Sequence, residues 1–175
     1  MLEGWEDFYL LIGSAAAALI GLLFVVSTLQ NRVGRAQALR GATLYMTPVV
    51  FHFAMIVVLS GAAMAPHLDR HWAGILTSLW AMVGFVHGVV ILVLFRMIKL
   101  PGHQHWSDVW FYAVGPTVIY AVMGTASWAI WQAAPCATAV VAGVLVALLL
   151  LCIRNAWDLV TWLSPRPDGD TAAVD

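Results

Sequence analysis

The chain has 175 residues, a hydrophobic fraction of 62% and a formal net charge of -1, and only 10% of its residues are charged. A soluble domain carries roughly a quarter charged residues, and a protein of this size has too little interior to bury so much apolar surface. The composition therefore excludes a water-soluble globule and a disordered chain. It also excludes a nucleic-acid-binding protein, which needs an excess of basic side chains to neutralise phosphates.

Uncharged windows divide the chain into membrane spans, because a spanning helix needs about 20 consecutive apolar residues. Windows 8–31, 41–68 and 71–95 each accommodate one helix. Window 109–153 would be roughly 67 Å long as a helix, about twice the hydrocarbon thickness, so we expect it to turn at 131–136. The sequence predicts an all-α integral membrane bundle of five transmembrane helices, with spans at about 8–30, 43–66, 72–95, 109–131 and 135–157.

These five spans form one predicted transmembrane domain, residues 1–163, followed by a polar, proline-rich tail, 164–175, which we expect to be disordered and cytoplasmic. We expect no charged residue in the interior of a span. Among side-chain amides we expect only Gln30 and Gln132, both at span ends. Coupled transporters usually carry an intramembrane carboxylate, so this pattern disfavours secondary active transport.

Basic residues predict the orientation of the bundle. Seven of the eight Lys and Arg residues follow spans one, three or five, and Arg70 alone lies on the opposite side. Short loops rich in Lys and Arg remain in the cytoplasm. We therefore predict an outside N-terminus and a cytoplasmic C-terminus.

Small residues recur at four-residue spacing in span one, at Gly13, Ala17 and Gly21. Small side chains allow membrane helices to approach one another closely. Two roles stay open for this stripe: helix packing within the bundle, or an interface between subunits. A chain this short encloses little by itself, so the stripe favours a homo-oligomer with span one as its leading interface.

His52 and His87 are the two histidines inside the spans. At helical rise each lies roughly 14 to 18 Å from the nearest charged boundary, near the membrane midplane and at similar depth. An ionisable side chain in hydrocarbon is costly and points to function. Three interpretations stay open: hydrogen bonds to neighbouring groups, a ligand, ion or proton pathway, or a b-type haem ligated by both imidazoles from facing helices.

Two other arrangements resemble reactive or metal sites. Ser127 with His87 as its base is rejected, because their predicted depths differ by roughly 14 Å or more. His67 and His71 have the spacing of metal ligands, but the surrounding residues indicate a short turn with a single acidic neighbour. We assign no catalytic and no metal-binding residue.

The opening Trp5-Glu6-Asp7-Phe8-Tyr9 leads into an Ala- and Gly-rich helix. This start resembles small uncharacterised bacterial polytopic inner-membrane proteins that share a Trp-Glu-x-Phe-Tyr lead into such a helix, and the resemblance covers about the first 30 residues. It implies a multi-pass protein of the bacterial inner (cytoplasmic) membrane. It implies no activity and no functional residues.

The sequence favours a non-enzymatic integral inner-membrane protein, a self-associating pore or permeation subunit for a small solute, with His52 and His87 as its buried polar site. Pro48 and Pro116 support it, because kinked helices can line a pathway, although they can also only shape the packing. One alternative is a redox membrane anchor that holds b-type haem between the two histidines. The other is an accessory or regulatory subunit of a larger membrane complex. The expected partners are the lipid bilayer and other copies of the chain or such a complex.

Overall fold

The structure is a computed structural model that describes residues 4–28, 42–66, 68–97 and 106–163. Five helices in these ranges are long and apolar enough to cross a membrane, and none of the described residues lies in a β-strand. The predicted all-helical class and the predicted number of helices able to span a membrane, five, are therefore confirmed.

Three of the spans are single α-helices: α1 (Glu6–Thr28), α3 (Arg70–Met97) and α5 (Ala137–Leu163). Each of the other two spans contains a π-helical segment directly before its main α-helix. The helix α2 (Thr47–Ala63) continues from Ala42–Met46, and α4 (Gly115–Trp131) continues from one α-helical turn, Trp106–Val109, and from Trp110–Val114.

Each π-helical segment ends beside a proline in the first turn of the following α-helix, Pro48 in α2 and Pro116 in α4. Proline lacks a backbone N–H, and its ring collides with the carbonyl group four residues earlier. A wider π-helical turn accommodates the missing hydrogen bond and the proline ring within a continuous helix. The prolines therefore reshape two spans without ending them.

Each helix packs against at least two of the other four, and α2 and α5 each pack against three. The helix α1 contacts α2 and α5, α2 contacts α3, α3 contacts α4, and α4 contacts α5, while α2 and α5 also touch each other. Successive helices alternate in direction. The start of α1, the connection from α2 to α3 and the connection from α4 to α5 therefore lie together, at what we call the N-terminal end of the bundle.

The closest helix packing joins α3 to α4. Buried positions recur along α3 at alternating spacings of three and four residues, which keeps one stripe facing its partner helix. The stripe consists of Gly74, Thr77, Ala81, Gly84, Gly88, Ile91 and Phe95, and the first five of these seven residues are small. The backbone of Gly84 lies directly against the ring of Tyr120, and that of Gly88 lies against the side chain of Thr117. The small residues allow this close approach without a hydrophobic driving force between helices.

The expectation of spans without charged or amide side chains is wrong for α5. Arg154 and Asn155 already fall within the predicted span 135–157, and because the helix runs on to Leu163, Asp158 lies within it as well. Asn155 is buried, and its Nδ2 donates a 2.8 Å hydrogen bond to the carbonyl of Phe111 in the π-helical segment before α4. The guanidinium of Arg154 lies 3.5 Å from the centroid of the Phe111 ring. A helix can continue past polar and charged side chains when the neighbouring span supplies a carbonyl group or an aromatic ring with which they interact.

Candidate functional site

The structure brings the two intramembrane histidines into contact. His52 of α2 and His87 of α3 lie with ring centroids 5.4 Å apart and planes at 87°. The predicted similarity in depth therefore corresponds to a direct edge-to-face contact. We call His52, His87 and their aromatic neighbours Phe51, Trp80 and Tyr120 the histidine cluster.

His52 is held from the side of α4. Only 1% of its surface is exposed, and its Nδ1 shares a 2.9 Å hydrogen bond with the hydroxyl of Tyr120. The direction of this bond depends on the imidazole tautomer. In a neutral imidazole one nitrogen donates and the other accepts, so Nε2 takes the opposite role in either case. A group that binds at Nε2 therefore needs one donor or one acceptor, and no charge.

Aromatic rings complete the histidine cluster. Phe51 stacks on His87 with centroids 3.7 Å apart and planes 15° apart. The rings of Trp80 and Tyr120 lie 5.0 Å apart, and Trp80 Nε1 donates a 2.7 Å hydrogen bond to the carbonyl of Met55. Phe51 therefore packs on the imidazole of His87, which is half-buried, and Trp80 packs on Tyr120, the hydrogen-bond partner of His52.

Four buried side-chain polar atoms have no hydrogen-bond partner among the residues that the structure describes: Tyr9 Oη, Ser60 Oγ, His52 Nε2 and His87 Nδ1. Ser60 lies eight residues beyond His52 on α2, about 12 Å at helical rise. Ser60 also packs against Gly13, and Tyr9 lies one turn before Gly13 on α1. The four atoms therefore extend from the centre of the bundle towards its N-terminal end. We call them the polar file.

An unpartnered polar group in a membrane interior is unfavourable, because neither water nor lipid hydrocarbon compensates the lost hydrogen bond. Buried sites of this kind are usually occupied by small molecules, most often water, that hydrogen-bond to two or more polar groups. The polar file therefore consists of hydrogen-bonding groups of the kind that small neutral molecules satisfy. All four residues carry no charge when the imidazoles are neutral, so the file gives a dissolved ion no counter-charge.

A haem ligated by both histidines would have to lie between their rings, with a ring nitrogen directed at the iron from each side. In the structure the two rings touch edge to face, and Phe51 covers one face of His87. Because the two imidazoles are in direct contact, binding a porphyrin between them would require α2 and α3 to separate.

The predicted stripe of small residues divides between two surfaces. A Cβ on Gly13 would lie 2.9 Å from Cβ of Ser60, so Gly13 belongs to the contact between α1 and α2. Ala17 is exposed, and Gly21 is exposed with open space around it, since a Cβ added there would meet no atom within 4 Å. Gly13 therefore packs inside the bundle, whereas Ala17 and Gly21 face outwards.

The remaining residues considered for chemistry lie apart from the histidine cluster. Ser127 is buried, and its hydroxyl donates a 3.0 Å hydrogen bond to the carbonyl of Met123 on its own helix. His71 lies edge to face against Trp131, with ring centroids 4.7 Å apart, and His67 falls outside the described residues. In the described part of the chain, no three His, Cys, Asp or Glu residues come together as a metal site.

A second polar cluster was missed by reasoning from the sequence. Where the two π-helical segments meet, the rings of Tyr45 and Tyr112 lie 5.0 Å apart. The hydroxyl of Tyr112 donates a 2.8 Å hydrogen bond to the carbonyl of Asn155, and that of Tyr45 a longer, 3.4 Å bond to Asp108. Like Tyr120, these tyrosines are polar residues within long apolar runs. The same signal that singled out the histidines could have identified them.

Three comparisons bear on the identity of the chain: it matches no family model, no curated protein and no solved structure.

Proposed function

We propose that the protein is a non-enzymatic permeation subunit that self-associates in the bacterial inner membrane and admits a small uncharged solute, with His52 and His87 as its buried polar site. The polar file carries this proposal. Its four neutral polar groups lie at intervals between the N-terminal end of the bundle and the histidine pair. None of the four atoms has a hydrogen-bond partner among the described residues. A solute that hydrogen-bonds to them would recover part of what it loses on leaving water.

The neutrality of the polar file favours an uncharged solute. His52 lies among apolar and aromatic side chains, and none of the described contacts of the histidine cluster involves a carboxylate, a lysine or an arginine. A dissolved ion entering this environment would lose its hydration shell without gaining a counter-charge. A neutral molecule meets no such barrier.

Self-association is supported by the exposure of α1. Only 17% of its most apolar window is buried within the bundle, against 33% to 44% in the other four spans. Its exposed face carries the small residues Ser14, Ala17, Ala18 and Gly21. A neighbouring helix can approach such a face closely. We propose that α1 of a second copy covers it.

The proposed orientation places the N-terminal end of the bundle outside. It is supported by the bias of seven to one in Lys and Arg residues between the two sides. In this orientation the polar file begins on the outer side of the membrane and reaches the midplane at His52.

Flux measurements test the proposed function. We expect vesicles containing the purified protein to take up water or a neutral solute, ethylene glycol or urea, faster than protein-free vesicles of the same lipid. Stopped-flow light scattering after an osmotic step reports each rate. Potassium flux serves as the charged control and is expected to stay at the level of empty vesicles. Rates equal to those of empty vesicles for all three neutral molecules would refute the proposal.

Cysteine cross-linking tests self-association through α1. We expect Ala17→Cys, in a chain whose exposed Cys136 is replaced by Ser, to form a disulfide-linked dimer in native membranes after mild oxidation. A disulfide needs Cα atoms within about 7 Å, so the dimer reports close approach of two copies. Val58→Cys is the matched control, since Val58 is exposed on α2. Equal cross-linking of the two variants, or none at Ala17→Cys, would exclude this interface.

A further inference from the structure

A small cavity lies at the N-terminal end of the bundle, apart from the histidine cluster. It has a volume of about 20 Å³, and all five helices contribute to its wall. Apolar side chains such as Leu59, Ala73 and Ile130 form most of this wall, and Tyr9, Thr77 and Thr138 contribute the hydroxyl-bearing side chains.

Tyr9 supplies a second, independent sign of a ligand. The residue is only 1% exposed, and its hydroxyl is buried without a hydrogen-bond partner in the described part of the chain. The hydroxyl of Thr77 donates to the carbonyl of Ala73 at 2.6 Å, which leaves its oxygen able to accept another hydrogen bond. The residues that line the cavity therefore include one unpaired hydroxyl that can donate and accept, and one further acceptor.

Size and lining define what can bind. A cavity needs roughly 10 to 15 Å³ to hold one water molecule, and this cavity is slightly larger. No charged side chain contributes to its wall, so an ion would be desolvated without compensation. A hydroxylic molecule of one or two heavy atoms fits the volume, and its hydroxyl group can pair with the phenol of Tyr9.

We propose that this cavity is a binding site for one small neutral hydroxylic molecule, with the Tyr9 hydroxyl as its principal hydrogen-bonding partner. The ligand is either a water molecule or a one-carbon alcohol, which share this chemistry. A ligand of this kind specifies the class of solute in the proposed permeation function. The route by which the ligand leaves the cavity rests on that proposed function. Occupancy of the cavity can be measured without any flux.

Nuclear magnetic resonance of the full chain in nanodiscs tests the site. With tyrosine labelled at ¹³Cζ the protein gives four signals, one for each tyrosine, and Tyr9→Phe identifies the signal of Tyr9. Methanol is the organic probe. We expect either a saturable shift of the Tyr9 signal with methanol, which identifies an alcohol site, or a long-lived water cross-peak to Tyr9 that methanol leaves unchanged, which identifies a water site.

Filling the cavity provides the decisive comparison. Ala73→Leu places a larger side chain in the wall and is expected to abolish the water cross-peak, or to weaken methanol binding by at least about tenfold, a loss of about 1.4 kcal/mol. Ala121→Leu makes the same change on an exposed face of α4 and is expected to leave the Tyr9 signal unaltered. The Tyr120 signal, bonded to His52, controls for general solvent effects.

Several outcomes would overturn the site: neither a saturable shift nor a water cross-peak at Tyr9, a methanol shift shared equally by Tyr120, or a response unchanged in Ala73→Leu. The result also separates this inference from the proposed function. Binding at Tyr9 without flux would refute permeation and leave the site in place, whereas flux without binding at Tyr9 would refute the site alone.

Discussion

Replacing Gly84 with alanine is expected to destabilise the bundle by about 1–3 kcal/mol, the usual range for overpacking a tightly packed interior. The added methyl group would overlap the ring of Tyr120, which is 1% exposed and has little room to move. Either the ring turns away from His52 or α3 moves away from α4. Reversible unfolding in mixed detergent micelles, followed by circular dichroism, measures the change in the free energy of unfolding.

Gly124→Ala provides the matched control for this experiment. Gly124 lies one turn beyond Tyr120 on α4, is exposed, and has no atom within 4 Å of an added Cβ. Alanine has the higher helix propensity, so this variant is expected to be as stable as the parent or slightly more stable. Equal stability of Gly84→Ala and the parent would show that α3 and α4 do not approach as closely as described.

Loss of the imidazole at His52 is expected to reduce neutral-solute flux by about tenfold. The variant His52→Leu removes Nε2 from the polar file, and one lost hydrogen bond of about 1.4 kcal/mol along the route corresponds to that factor. Stopped-flow rates per reconstituted protein measure the effect. His52→Gln keeps a donor and an acceptor at this position and is expected to recover part of the flux.

Tyr120→Phe distinguishes the contribution of His52 Nε2, which belongs to the polar file, from that of the hydrogen bond between His52 Nδ1 and Tyr120. This variant removes the partner of His52 Nδ1 and leaves Nε2 in place. We therefore expect a smaller loss of flux than in His52→Leu. Unchanged flux in His52→Leu, in protein that still folds by circular dichroism, would remove the histidine from the proposed pathway and limit its role to packing.

The two polar clusters have different chemistry although both lie within the bundle. Where the π-helical segments meet, the polar groups bond to one another: Tyr112 to the carbonyl of Asn155, and Asn155 to the carbonyl of Phe111. In the histidine cluster, His52 Nε2 and His87 Nδ1 stay unpartnered among the described residues. Polar groups that hydrogen-bond to one another stabilise the fold, whereas polar groups without a partner can form hydrogen bonds with a ligand. The unpaired nitrogens of His52 and His87, as part of the polar file, therefore support the proposed function, whereas the paired groups of the second cluster do not.

Sequence alone determined the class of this protein and the number of its spans. Hydrocarbon thickness requires about 20 apolar residues per helix, so uncharged windows separate the spans without any knowledge of packing. It also determined that His52 and His87 lie at similar depth, because helical rise converts a residue count into a distance. The last span was misjudged at Asn155, since a window defined by charge ends before the helix does.

Only the tertiary structure decided how each helix is rotated. Every face of these helices is apolar, so the periodicity that orients a helix in a soluble protein is absent. The edge-to-face contact of His52 with His87, the bond from His52 to Tyr120, and the outward placement of Ala17 all depend on rotation. Rotation follows from where small residues permit close packing, as at Gly84 against Tyr120. That fit between surfaces depends on several helices at once, and no single segment of the sequence specifies it.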